Sequence, residues 1–210
     1  LANLLSQIVR AKLAAVLLGP VGVSVITQLN SFLGFGQVIG GIGHASGVVR
    51  ETSRAHAAGD QNELQRIHQT FLMALTGSAL VVALASQILA APVSQFLFAS
   101  SEYANHVRLT AIAIPLAIGA RFFQSILKGY RNVTHLAVVN ALGNTISIAG
   151  FVYLVLNFQL WGAVVAIVVT QLSLFLLSAW TVARSGFRLK LSERGSLQIL
   201  RRNVGYSIAG

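Results

Sequence analysis

The sequence predicts an all-α fold, a polytopic membrane bundle of six transmembrane helices, and three observations carry that expectation. The first is composition. Of 210 residues, 55% are hydrophobic and 10% charged, with a mean hydropathy of +0.72, whereas a soluble domain carries roughly 25% charged residues. The second is spacing: no Asp, Glu, Lys or Arg occurs from Leu13 to Val49 (37 residues), from Ile67 to Ser101 (35) or from Asn132 to Ala183 (52). A helix crosses the hydrocarbon layer with about 20 apolar residues, so each stretch holds a crossing and the last holds two. The third is that basic residues cluster in alternate gaps between these spans. A water-soluble globular protein is excluded. The net charge of +10, which in a soluble domain would suggest nucleic acid, here flanks spans, and no nucleic-acid partner is expected.

Each element has a local cause. The first span, Leu1 to Leu18, stops at Gly19-Pro20, a pair that ends one helix and opens another. The second runs from about Ser24 to Val49. The polar stretch from Arg50 to Arg66 is expected as a loop outside the membrane, with Gly59 closing one helix, Asp60 capping the next and Glu63 completing a capping box. Span three is Phe71 to Ala91, closed by Pro92. A connector with Ser100, Ser101 and Glu102 leads to span four, Leu109 to Leu127, which contains Pro115 and Gly119. After Lys128-Gly129-Tyr130-Arg131 comes span five, Leu136 to Leu156, then the turn Asn157-Phe158-Gln159 and span six, Leu160 to Val182. Residues 1–183 form the bundle, and 184–210 a basic linker and the start of the next helix. The chain opens without Met inside the apolar run Leu1-Ala2-Asn3-Leu4-Leu5 and ends at Ser207-Ile208-Ala209-Gly210, so a longer protein, truncated at both ends, is expected.

Orientation follows from the basic residues. Arg50, Arg54 and Arg66 follow span two, Lys128 and Arg131 follow span four, and Arg184, Arg188, Lys190, Arg194, Arg201 and Arg202 follow span six, which is eleven of the 15; the opposite gaps hold only Arg108. The basic side, and with it the N-terminus, is expected in the cytoplasm. With no cysteine, disulfides and thiolate metal sites are excluded and stability rests on helix packing. No gap is long enough for an extramembrane catalytic domain, so the chain is read as no enzyme.

An Arg near the bilayer centre costs about 2.5–3.5 kcal/mol on insertion scales, which makes every intramembrane cation a functional candidate. Arg10 stands eight residues before Leu18, roughly 12 Å from the helix end at about 1.5 Å per residue. Asn3, Ser6, Gln7 and Arg10 form one polar stripe, whereas Lys12 points to the opposite side and is read as snorkelling to the interface. Arg10 is assigned to an internal cavity; the alternative is a clamp on neighbouring carbonyls. In span two, Asn30, Gln37 and His44 recur every seven residues with Gly34 and Gly41 between them, a face that lines water or glues helices. The glycines (Gly34, Gly36, Gly40, Gly41, Gly43, Gly47) are read as packing positions. No second His stands at metal spacing, so neither metal nor cofactor is expected. In span four Arg121, Gln124, Ser125 and Lys128 share a face; Arg121 either lines the cavity or snorkels. Gly19-Pro20 and Pro115 with Gly119 are hinge candidates, a static kink being the alternative. Asn140, Asn144 and Ser147 form a neutral stripe in span five. All five acids (Glu51, Asp60, Glu63, Glu102, Glu193) lie in loops, and a cavity with cations and no carboxylate suits an anionic substrate.

The run Arg10-Ala-Lys12-Leu-Ala-Ala-Val-Leu-Leu-Gly19-Pro20-Val-Gly22-Val, the glycine-rich second span leading into Val48-Val49-Arg50-Glu51, then Gly59-Asp60 and Lys128-Gly129-Tyr130-Arg131 together resemble the bacterial O-antigen translocases. These are lipid-linked oligosaccharide flippases of the superfamily that also contains multidrug and toxin extrusion transporters. The resemblance implies a fold of two six-helix bundles, of which this chain is the first, around a cationic cavity that grips the diphosphate of an undecaprenyl-linked glycan. It implies a multi-pass protein of the bacterial inner membrane in lipopolysaccharide and polysaccharide biosynthesis. Its partners would be membrane lipids, the lipid-linked oligosaccharide diphosphate, and the polysaccharide polymerase and chain-length machinery. Arg10 or Lys12 matches the basic positions of the family's first helix, and Asn30 stands where some relatives carry a further Arg. A drug/cation antiporter of the same superfamily is the competing reading, which would want a membrane carboxylate. A membrane glycosyltransferase, which would want a large acidic loop, fits least.

Overall fold

The computed structural model describes the backbone of residues 2–41 and 44–184, and the side chains of 11–41 and 46–184. These residues form six helices and no strand: α1 (Ala2–Gly40), α2 (His44–Ala57), α3 (Gln61–Ile88), α4 (Ala90–Phe98), α5 (Ala104–Gly129) and α6 (Val133–Arg184). Four of them, α1, α3, α5 and α6, are long and apolar enough to cross a membrane, and two of these four are broken by a reversal of the backbone. In α1 the break is Gly19, at φ 67° and ψ −177°, a left-handed value that glycine adopts without a Cβ clash, and Pro20 then restarts the helix. In α6 it is Gln159, at φ 49° and ψ −126°. The 52 residues of α6 would otherwise run roughly 78 Å, more than twice the thickness of the hydrocarbon layer. Instead the second limb returns along the first: Ser147 is hydrogen-bonded to Thr170, and Gly143 packs under Leu174. The hairpin closes so tightly that a Cβ at residue 162 would lie 1.9 Å from the Leu154 carbonyl oxygen. Counted by limbs these four helices give six segments, the number of spans read from the sequence.

Three boundaries differ from the sequence reading. The second span stops at Gly40, and the polar stretch is largely helical: α2 reaches Ala57 and buries Val48, Thr52 and Ala55, one stripe at helical spacing, beside α5. The capping box is half formed. Asp60 accepts from the Glu63 N–H at 2.9 Å, but the Glu63 carboxylate binds Arg54, and the Asp60 N–H donates to the Ala55 carbonyl. Span three starts at Gln61 and ends at Ile88; Pro92 does not close it but sits in the first turn of α4, where its missing N–H costs nothing.

The core is built around α5, the most buried of the spans. Phe71, Leu29, Ile67, Ile114, Ile126 and Leu127 are fully buried in one cluster. Two of the span-two glycines are packing positions, since Cβ atoms at Gly36 and Gly40 would lie 2.7 and 2.5 Å from Ile114 and Ile118 of α5, while Gly34 faces open space. Outward, Val16, Ile88 and Phe96 are more than four-fifths exposed (82%, 81% and 88%), a surface suited to lipid rather than water. The bundle has two distinct ends. One gathers α2, the start of α3 and the α5–α6 turn, so the basic stretches 50–66 and 128–131 share it; the other gathers α4, the start of α5 and the reversal at Gln159, where His106 stacks on Trp161 at 4.1 Å.

Candidate functional site

The reversal at Gly19 places both limbs of α1 on the wall of one cavity of about 430 Å³. Ala11 and Ala14 come from the first limb, Ile26, Thr27 and Asn30 from the second, and Phe151, Ile167, Thr170 and Gln171 close it from the two limbs of α6. Its size falls within the range of small-molecule sites, about 300–1,000 Å³. No lining residue is charged. Three of the polar groups are committed in a common direction: Thr27 Oγ1 donates to the Val23 carbonyl at 2.8 Å, Asn30 Nδ2 to the Ile26 carbonyl at 2.9 Å and Thr170 Oγ1 to the Ala166 carbonyl at 2.7 Å.

Two smaller cavities flank α5. Gln37, which is buried, and Arg121 line a space of about 40 Å³ with Gly41, Val48, Leu75, Ile118 and Phe122, room for about one water. Pro115 and Gly119 line an apolar space of about 250 Å³ with α3 residues and Phe175. Gly119 is there because a Cβ would lie 2.6 Å from the Phe175 ring.

The structure therefore separates the candidates. Asn30 belongs to the large cavity, Gln37 and Arg121 meet in the small one, and Lys12 is exposed and lines neither. Gly19 makes the turn, with Pro20 exposed beside it. α5 continues through Pro115 as one helix. The side chains of Gln7, Arg10 and His44 lie outside the described residues, though Arg10 stands four positions before Ala14 on α1.

Sequence reasoning missed a polar cluster at the basic end. The Glu51 carboxylate, 5% exposed, pairs with Arg50 at 3.2 Å and Arg54 at 3.3 Å, and Arg54 also binds Glu63 across the α2–α3 turn. The hydrogen bond that Arg54 donates to Glu63, and then the charge of Glu51, raise the Arg54 guanidinium above its ordinary pKa. Thr52 is hydrogen-bonded to His68 at 3.0 Å, and Tyr130 is edge-on to His56 and His68, with ring centroids 5.0 and 6.1 Å away; burial pushes the Tyr130 phenol up from its usual pKa. Gly129 allows this approach, since a Cβ there would lie 2.6 Å from Thr52 Cβ. The available signal was the Glu51-x-x-Arg54 spacing, an i,i+3 pair on one helix.

The family model described as polysaccharide biosynthesis protein matches residues 1–209. The Lipid III flippase of Escherichia coli (strain K12) is 26% identical over 140 residues, which cover 67% of this chain and 33% of that protein. The Lipid III flippase of Shigella flexneri matches to the same extent, 26% over 140 residues. The matched part is thus about a third of the length of these curated relatives. No solved structure matches the chain.

Proposed function

We propose that this chain, which belongs to the polysaccharide biosynthesis protein family, is one bundle of a two-bundle flippase. It moves an undecaprenyl-diphosphate-linked oligosaccharide, an O-antigen or related repeat unit, across the bacterial inner membrane by alternating access, with its N-terminus in the cytoplasm. The observation that carries the reading is the sign of the charge within the membrane: the described cavities are lined by Arg121 and neutral groups and by no carboxylate, and Arg10 stands one turn before the cavity wall. The relatives named as Lipid III flippases support it.

The chemistry follows from the diphosphate, whose charge must be partly stripped of water to cross. Arg offers two parallel charge-assisted hydrogen bonds to phosphate oxygens where Lys offers a point charge. In this reading Gly19-Pro20 and the segment from Pro115 to Gly119 are the places where helices flex as the bundles rock. The test is an export series in the full-length protein at matched expression, read as periplasmic glycan transfer beside binding of the lipid by the purified protein. Wild type should exceed Arg10→Lys, and Arg10→Lys should exceed Arg10→Gln, which falls about tenfold or more for the loss of charge-assisted bonds. Arg10→Glu should be inactive. Full export by Arg10→Glu, or transport of a cationic dye in place of the lipid, would overturn the reading.

A further inference from the structure

The cavity between α1 and α6 is unlike the site a diphosphate needs, and the difference lies in its protons. Thr27 and Thr170 each have one hydroxyl proton, and each turns it away, onto the carbonyl one helical turn earlier. Asn30 turns one amide N–H onto Ile26, which leaves its Oδ1 and its second N–H facing the cavity. The wall thus offers the oxygens of Thr27, Thr170 and Asn30 together with the amide groups of Asn30 and Gln171, and no cation. A phosphate brings only acceptors and several charges, and finds neither a cation nor a threonine proton here. A saccharide brings many hydroxyl and amide N–H donors, and its C–H faces suit the remaining lining of Ala14, Ile26, Phe151 and Ile167.

We infer that this cavity is a glycan subsite: it accepts hydrogen bonds from a sugar ring of the substrate while the diphosphate is held elsewhere. The inference rests on the flippase reading and divides its substrate in two, a neutral head seated between α1 and α6 and an anionic group on the arginines. The volume of about 430 Å³, against about 30 Å³ for each water of the liquid, gives a ring room together with bridging water. Exposed Thr27 and Asn30 form its open rim, so a sugar enters without the bundle unpacking.

The experiment compares two lipids on the purified full-length protein: undecaprenyl diphosphate, and undecaprenyl diphosphate carrying N,N′-diacetylchitobiose. Wild type should bind the second more tightly. Thr27→Val keeps the shape and removes the acceptor, and Asn30→Leu removes the amide; each should weaken binding of the glycan-bearing lipid roughly threefold to tenfold and leave the glycan-free lipid unchanged, whereas Arg10→Gln should weaken both. Thermal melting confirms folding, and Thr27→Val, an isosteric change at an exposed position, carries the test if Asn30→Leu does not fold. Equal weakening of both lipids by Thr27→Val would mean that the cavity meets the diphosphate. No weakening of either, or a loss confined to tetraphenylphosphonium binding, would overturn the glycan assignment and leave the flippase reading standing. If wild type binds neither lipid, the flippase reading itself fails, and the subsite with it.

Discussion

The two ends of the bundle are held together by different physics. At the basic end, charges and hydrogen bonds do the joining: Glu51 with Arg50 and Arg54, Arg54 with Glu63, Thr52 with His68, and the Asp60 cap. At the opposite end the joints are backbone turns, ring contacts and uncharged hydrogen bonds, with Gln159 at positive φ, Ala99 at φ 54° closing α4, Gly162 under Leu154, His106 between Tyr103 and Trp161, Gln87 donating to the Arg108 carbonyl and Ser94 to the Ser100 carbonyl; no ion pair is found there among the described residues. A turn that depends on missing atoms is rigid and indifferent to salt. An ion-pair cluster can open at modest cost and close again. The joints of the basic end should therefore respond to salt, and those of the turn end should not.

The comparison acquires a direction once the ends are assigned to compartments, and that measurement carries the largest expected effect, since it is all or none. The 210 residues contain no cysteine, so a single cysteine reports cleanly. Asn62→Cys, beside the ion pairs, should resist a membrane-impermeant maleimide in intact cells, and Ser101→Cys, at the turn end, should react. The reverse pattern would put the basic end in the periplasm and break the basic-residue argument for orientation.

Next in size is a test of the turn end. Gly162→Ala places a methyl group 1.9 Å from the Leu154 carbonyl oxygen, backbone against backbone with no flexible side chain to yield, so the α6 hairpin cannot close as it stands. The expected result is loss of monodisperse protein on size-exclusion chromatography. Gly34→Ala, which meets nothing within 4 Å, should behave as wild type or melt slightly higher, since alanine favours a helix by up to about 1 kcal/mol. Equal behaviour of the two variants would show that the turn end is more compliant than its geometry.

How much of this was legible beforehand depends on whether the cause is local. The six spans were, because a long apolar run with few or no charges needs no knowledge of neighbours, and so was the turn at Gly19-Pro20. The Asp60 cap was read correctly, but the partner of Glu63 was not, because a carboxylate chooses between a backbone N–H three residues away and an arginine that only tertiary packing brings close. The seven-residue spacing of Asn30 and Gln37 suggested one shared surface. A straight helix drifts about 20° per seven residues, so the two stay nearly aligned, yet Gln37 is buried and lines a small space with Arg121 of α5 while Asn30 is exposed and lines the cavity against α6. Which neighbour covers each is not written in α1. The helix α2 was hidden for a related reason: it is too polar to read as a span, and what it buries includes Glu51 and Thr52 beside Val48 and Ala55.

The smallest expected effect concerns the basic end. Removing both partners with Arg50→Ala and Arg54→Ala strips the buried Glu51 carboxylate of two guanidiniums. A fully buried pair broken on one side costs about 3–5 kcal/mol, but both arginines are about half exposed (side chains 50% and 52%), so solvent screening reduces the expected loss to about 2 kcal/mol. The signature is the salt dependence rather than the size. Wild type should lose part of this stabilisation as NaCl rises from about 0.05 to 1 M, over which the screening length falls to about 3 Å, whereas the double variant should melt at nearly the same temperature throughout. Arg108→Ala at the turn end removes only an exposed hydrogen bond to Asn105 and should change stability by less than about 0.5 kcal/mol with no salt response. A salt-independent wild type would mean that packing of Thr52, Tyr130 and Gly129, and not charge, closes this end, and both ends would then be joints of one kind.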